Sequence, residues 1–185
     1  MRKLKTAEMN RMTVGEFKTS NKVPIVLVLD NIRSQNNTGS VFRTADAFRF
    51  EAIYLCGITA TPPHREIHKT ALGATESVNW KYFPETFEAL EVLKKEGFIL
   101  IGVEQTDNSI QLQDFHPEKG KKYALIFGNE VNGLDELLFP LFKECIEIPQ
   151  VGTKHSLNIS VAAGIVCWDF FFKMQSFSER NATIP

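Results

Sequence analysis

Apolar positions along this chain fall into short unbroken runs, separated by segments in which they recur every three or four residues. The clearest run is residues 23–29, Val-Pro-Ile-Val-Leu-Val-Leu. A β-branched stretch of that kind reads as a strand covered on both faces, because a strand with one wet face alternates instead. The run at 98–103 reads as another buried strand, and those at 52–56, 80–83, 123–127 and 145–148 as strands. Helical patterns lie between them, at 38–48 and, shorter, at 64–74. Pro84 opens another, with Phe87, Leu90 and Leu93 on one face and Gly97 as its stop. Residues 134–142 read as a short helix and 156–174 as the last one, while the polar stretch 104–121 reads as loop. Strands alternating with helices specify an α/β fold, a mostly parallel sheet with helices on both faces.

Length and charge narrow the picture without naming a function. For 185 residues the natural count is one domain. Residues 1–22 form a basic arm with Arg2, Lys3, Lys5, Arg11, Lys18 and Lys22, in which Thr6 reads as the cap of a helix reaching Met12. The α/β domain follows over 23–175, and 176–185 is a polar tail. No apolar run approaches the length of a membrane span, and the first residues lack the apolar core of a signal peptide. Cys56, Cys145 and Cys167 are odd in number and set in apolar runs, as reduced thiols of a cytoplasmic protein would be. Four scattered His without Cys or Asp at ligand spacing argue against a metal. A net charge of −1 neither supports nor removes a nucleic-acid partner, since a basic patch can be local.

Candidate chemistry sits in three polar clusters, each where a strand gives way to a loop or helix. In an open α/β sheet that is where ligands bind. The first is Asn37-Thr38-Gly39 with Arg43: a glycine near a helix start leaves room, and an Arg four residues on lies on the same face, placed for a phosphate or hydroxyl. An Asn cap, a turn glycine and a surface Arg would read alike. The second is Phe127-Gly128-Asn129-Glu130, where Gly128 admits a ligand close to the backbone and Glu130 is the first charge at the strand mouth; a capping loop is the plainer reading. The third is Ile148-Pro149, then Ser156-Leu157-Asn158 at a helix start, with Ser156 a candidate N-cap and Asn158 an unexpected residue inside a first turn. No G-x-G-x-x-G occurs. Gly128 and Gly133 have P-loop spacing, but Leu134 stands where Lys is required.

In this order the clusters resemble the SpoU (TrmH-like) branch of the SPOUT RNA methyltransferases. Residues 37–45 match an N-x-G-x-x-x-R-T-A motif, residues 128–130 a G-x-E motif, and Ile148-Pro149 with residues 156–162 an I-P…S-L-N-x-S-x-A motif; residues 69–74 match K-x-x-x-G-A. The resemblance covers about residues 23–175. It implies a C-terminal deep trefoil knot, an exception to the rarity of knots. It implies S-adenosylmethionine as cofactor, held in the knot by Phe127, Gly128, Ile148, Ser156 and Leu157. It implies a homodimer with each site near the interface, and 2′-O-methylation of a ribose in tRNA or rRNA. Arg43 would act on the 2′-hydroxyl, Asn37 and Glu130 would orient Arg43 and the ribose, and Ser156 and Asn158 would shape the pocket. Many relatives add an RNA-binding domain, whereas this chain shows only the arm and a small tail.

Two rival readings come from other classes. A non-catalytic RNA-binding relative would have lost some of Asn37, Arg43, Glu130, Ser156 and Asn158, and all five are present. A nucleotide-binding α/β enzyme would carry a glycine fingerprint, and both fingerprints are missing. The last helix bears on assembly. Its apolar residues cover nearly its whole circumference, so a second copy packed on it is expected.

Overall fold

Seven strands form one sheet in the computed structural model, which describes residues 1–179 without the side chains of 6–7 and 176–179. They are β1 (Val23–Asp30), β2 (Phe50–Cys56), β3 (Asn79–Phe83), β4 (Phe98–Val103), β5 (Ile110–Gln111), β6 (Lys122–Phe127) and β7 (Glu144–Glu147). The order is β3-β2-β1-β6-β4-β7-β5, and every pairing is parallel. The helices are α1 (Val14–Thr19), α2 (Gln35–Ala47), α3 (Arg65–Ala71), α4 (Ala74–Ser77), α5 (Thr86–Lys95) and α6 (Ile159–Glu179). Among the described residues no helix is long and apolar enough to cross a membrane.

The unbroken apolar runs have a direct cause in packing. Along β1, Ile25, Leu27 and Leu29 join a cluster with Val41, Phe42 and Ala45 of α2 and Ala163, Val166 and Phe170 of α6. Val26 and Val28 face the other way, onto Ala89, Leu90 and Leu93 of α5. Both faces are covered, so no position alternates to polar.

Several details differ from the sequence-based expectation. Phe87 is 52% exposed; the buried face of α5 is Thr86, Ala89, Leu90 and Leu93, and Phe87 points outward. The stretch 104–121 holds the edge strand β5 and a 3-10 turn as well as loop. The segment 134–142 is a 3-10 helix, Glu136–Leu141, with Pro140 inside it. In the arm, Thr6–Met9 is a 3-10 turn, and the helix proper begins at Val14, capped by Thr13. Phe17 anchors that helix in the core. α6 runs on to Glu179, into the expected polar tail, and residues 180–185 lie outside the described residues.

Gly39 does not make a turn. It lies inside α2, and its open side is filled by α3: a Cβ there would overlap the Ile67 carbonyl oxygen and Thr70 Oγ1 and sit 3.1 Å from Ala71 N. Thr70 Oγ1 also donates to the Asn36 carbonyl at 3.0 Å. The glycine therefore sets how closely α2 and α3 approach. Gly39→Ala should force the helices apart and destabilise the fold by about 1–3 kcal/mol, as overpacking does. Urea unfolding checks this, and an unchanged midpoint contradicts it.

Candidate functional site

The C-terminal ends of β4, β6 and β7 open onto one cleft of about 530 Å³. The loop after β6 is a tight return in which Asn129 N donates to the Gly133 carbonyl and Gly133 N to the Asn129 carbonyl, both at 2.9 Å. Gly128 makes the return possible. A Cβ at Gly128 would overlap the backbone of Gly133 and Leu134, so its bare side meets protein backbone and not a ligand. The Asn129 side chain fixes the loop further. Its Nδ2 donates to the Asn31 carbonyl at 2.6 Å, and its Oδ1 accepts from Val131 N at 2.9 Å.

Glu130 couples this loop to the first cluster. Its carboxylate accepts from Arg33 N at 3.0 Å, Ser34 N at 3.1 Å and Asn37 Nδ2 at 3.2 Å. Ser34, not Asn37, caps α2, accepting from Asn37 N at 3.3 Å. Burial pushes the Glu130 pKa up, but the amides of Arg33 and Ser34 and the Asn37 side chain outweigh it and hold the group below the ordinary value of 4.5. A depressed folded-state pKa stabilises above the unfolded value, and that contribution is lost as pH falls through the folded one. Glu130→Gln should therefore flatten the decline of thermal midpoint below about pH 4.5. Melting curves from pH 7 to pH 3 test this; identical acid limbs for the two proteins contradict it.

The third cluster forms the outer wall. The helix expected from Ser156 begins only at Ile159, and the cap is Asn158. Asn158 Oδ1 accepts from Ser160 N at 2.9 Å, and its carbonyl accepts from Ala162 N at 2.9 Å. That explains an Asn at this position: it stands before the first turn, where short polar side chains belong. Ser156 and Leu157 lie in the exposed loop ahead of it, tied down by Gln105 Nε2, which donates to the His155 carbonyl at 3.2 Å.

Phe127, Gly128, Ile148, Ser156 and Leu157 all line this one cleft, as do Glu130 and Asn158. Asn37 reaches it through Glu130. Arg43 does not. It is exposed on α2, six residues beyond Asn37, and lines a second cleft of about 530 Å³ with Ser40, Thr44, Lys69, Thr70 and Gly164. It makes no hydrogen bond or ion pair among the described residues. The space expected in front of Gly39 is occupied by α3, and Asn37 and Glu130 hold each other rather than Arg43. Sequence reading also passed over Glu104, whose carboxylate accepts from Leu134 N at 3.0 Å and Gln105 N at 2.9 Å and lines the first cleft. The signal was there: Glu104 is the first charge after a buried strand, the same cue that singled out Glu130.

The chain is similar to known proteins. The 23S rRNA (guanosine-2'-O-)-methyltransferase RlmB of Neisseria meningitidis is 32% identical over 143 residues, which is 77% of this chain and 56% of that protein. The chain spans less than two thirds of the length of such curated relatives. The AdoMet-bound rRNA methyltransferase of Sinorhizobium meliloti superposes with a TM-score of 0.74 at 26% identity, over 80% of this chain and 56% of that one. The TrmH/SpoU tRNA modifying enzyme of A. aeolicus superposes with a TM-score of 0.78 at 21% identity, over 89% of this chain and 82% of that one, and shows the same fold. Residues 24–168 match the model of the SpoU rRNA Methylase family, and the chain belongs to that family.

Proposed function

We propose that this protein transfers a methyl group from S-adenosylmethionine to a ribose 2′-hydroxyl in tRNA or rRNA. The observation that carries the reading is the convergence of the loops after β4, β6 and β7 on one cleft. The chemistry of the lining fits the cofactor. Phe127, Ile148 and Leu157 offer apolar walls for an adenine ring, and among the described residues the lining holds Glu104, Glu130 and Glu147 but no Lys or Arg, which suits a cationic ligand. S-adenosylmethionine, when bound, supplies a methyl group already activated on a sulfonium. The solved relative from Sinorhizobium meliloti is described as AdoMet-bound, and the curated relative as a guanosine-2'-O-methyltransferase.

The protein's work is then alignment and charge. A ribose hydroxyl is a weak nucleophile, so its forming negative charge needs a partner. Arg43 is that partner. As a guanidinium it stays protonated and acts as a stabilising cation, while a substrate phosphate or water takes the proton. Glu130 and Asn37 keep the start of α2 locked to the cofactor loop, and Ser156 and Asn158 shape the outer wall. Arg43 and the cofactor cleft lie apart within one chain, so the reading includes a homodimer in which Arg43 of one protomer meets the cleft of the other. Val161, Ile165, Trp168 and Phe172, exposed apolar residues on the outer side of α6, support this. The chain from β6 to α6 is read as the deep trefoil knot, and the setting as cytoplasmic, in keeping with three free cysteines. Residues 1–22 remain the arm and 23–175 the methyltransferase domain.

Two experiments test the reading. Calorimetry should show binding of S-adenosylmethionine and none of ATP. Mass-spectrometric mapping of ribose methylation in tRNA and rRNA should show one modification missing from cells that lack the gene. An unchanged methylation map, with no methyl transfer to bulk RNA in vitro, would refute it.

A further inference from the structure

A third cleft, of about 550 Å³, lies between α3, α4 and the edge strand β3, outside every motif discussed above. We propose that it is a subsite for one unstacked nucleobase of the RNA, next to the nucleotide whose ribose is methylated; this rests on the function proposed above.

The wall contributed by β3 is Trp80, a half-buried indole. Arg65 and His68 reach the cleft from α3 and Glu76 from α4, all three exposed. The side chains of His68 and Glu76 make no hydrogen bond or ion pair among the described residues. Arg65 has only a long contact of 3.9 Å to Glu66, with 87% of its side chain exposed. An aromatic wall ringed by uncommitted donors and an acceptor matches a base, which presents a π-face and a hydrogen-bonding edge together. It matches a phosphate poorly, because Glu66 and Glu76 offset the cations. Duplex RNA keeps its bases stacked and its edges in a shallow groove, so the cleft selects a loop or single strand.

Position ties this cleft to the reaction. His68 lines it, and the next residue, Lys69, lines the cleft of Arg43. Arg65 and Lys69 are one helical turn apart, about 6 Å along the axis. A strand crossing α3 would place one ribose at Arg43 and the adjoining base against Trp80.

The chain has two tryptophans, so Trp168→Phe leaves Trp80 as the sole indole. That variant is titrated with a mixed-sequence single-stranded RNA octamer and with an RNA duplex of the same sequence, with binding followed by anisotropy of labelled RNA. The octamer should quench Trp80 emission and the duplex should not. Trp80→Leu should weaken octamer binding about ten-fold or more, the scale of one base–aromatic contact. His68→Ala and Arg65→Ala, both exposed positions, should weaken it several-fold, with the S-adenosylmethionine affinity and thermal midpoint unchanged. Bound octamer with unchanged Trp80 emission, or equal quenching by the duplex, overturns the subsite. So does unaltered affinity in the His68 and Arg65 variants. Methyl transfer to bulk RNA by the wild type would then leave the proposed function standing. Absence of both RNA binding and methyl transfer would remove both.

Discussion

Arg43→Ala should reduce methyl transfer by at least about 10²–10³-fold, the loss seen when one preorganised donor to a developing oxyanion is removed. The same variant should bind S-adenosylmethionine within a few-fold of wild type and melt at the same temperature. The geometry separates these outcomes. Arg43 is exposed, has no partner among the described residues, and lines a cleft distinct from that of Phe127, Ile148 and Leu157. Its truncation therefore leaves no buried group unsatisfied and removes nothing from the cofactor lining. Arg43→Lys should also be poor, because an ammonium point charge does not reproduce the planar fork of the guanidinium. Incorporation of labelled methyl into RNA, calorimetry with the cofactor, and thermal melting report the three quantities separately. Near wild-type turnover in Arg43→Ala would remove the role; lost cofactor binding would place Arg43 in the other cleft.

The central strands β1, β2, β4 and β6 were legible because a parallel sheet buries both their faces, which turns each into a nearly unbroken apolar run. β5 was not, since two residues at a sheet edge carry too little pattern to stand out from a polar loop. The cleft over β4, β6 and β7 was legible because clusters at the ends of buried strands fall together, which put Phe127, Gly128 and Ile148 on one rim; that the rim would hold a cofactor came from the family resemblance and not from position. Phe87 was misread because a period of 3.6 residues tells which side chains share a face but not which face meets the sheet. The open space expected between Gly39 and Arg43 was misread for a related reason. Their spacing puts them near one another on α2, but what fills the space in front of Gly39 comes from α3, a non-local contact that no local pattern contains. Asn158 is the opposite case. Its residue type stood out as misplaced inside a first turn; the cap was assigned to Ser156, and with the helix starting three residues later the cap is Asn158.

Phe172→Asp should convert a dimer to monomer and abolish methyl transfer. α6 buries Ile159, Ala163, Val166, Cys167 and Phe170 against the sheet, yet Val161, Ile165, Trp168 and Phe172 are 40–59% exposed on its outer side. Those four positions repeat at three- and four-residue spacing, so they form one continuous stripe. Phe171 is only partly buried but packs on Phe48 at 5.0 Å, which leaves Phe172 as the ring to test. The arm does not cover the stripe, because Phe17 ties α1 into the core beside α4. A twofold interface presents the same residue from both protomers, so each substitution acts twice. Burying one phenylalanine is worth about 1.5–3 kcal/mol. Losing two therefore weakens association by roughly 100-fold or more, before counting the cost of bringing two carboxylates to the same axis. Val161→Asp, at the other end of the stripe, should act in the same direction, and its fold can be checked independently by near-ultraviolet circular dichroism. Light scattering at micromolar concentration should give twice the chain mass for wild type and the chain mass for either variant. The cleft proposed for the cofactor is lined by one chain and Arg43 does not line it, so the monomers should still bind S-adenosylmethionine yet transfer no methyl group. A wild-type monomer would overturn the interface, and a monomeric variant with full turnover would show that one chain brings Arg43 to the methyl group unaided.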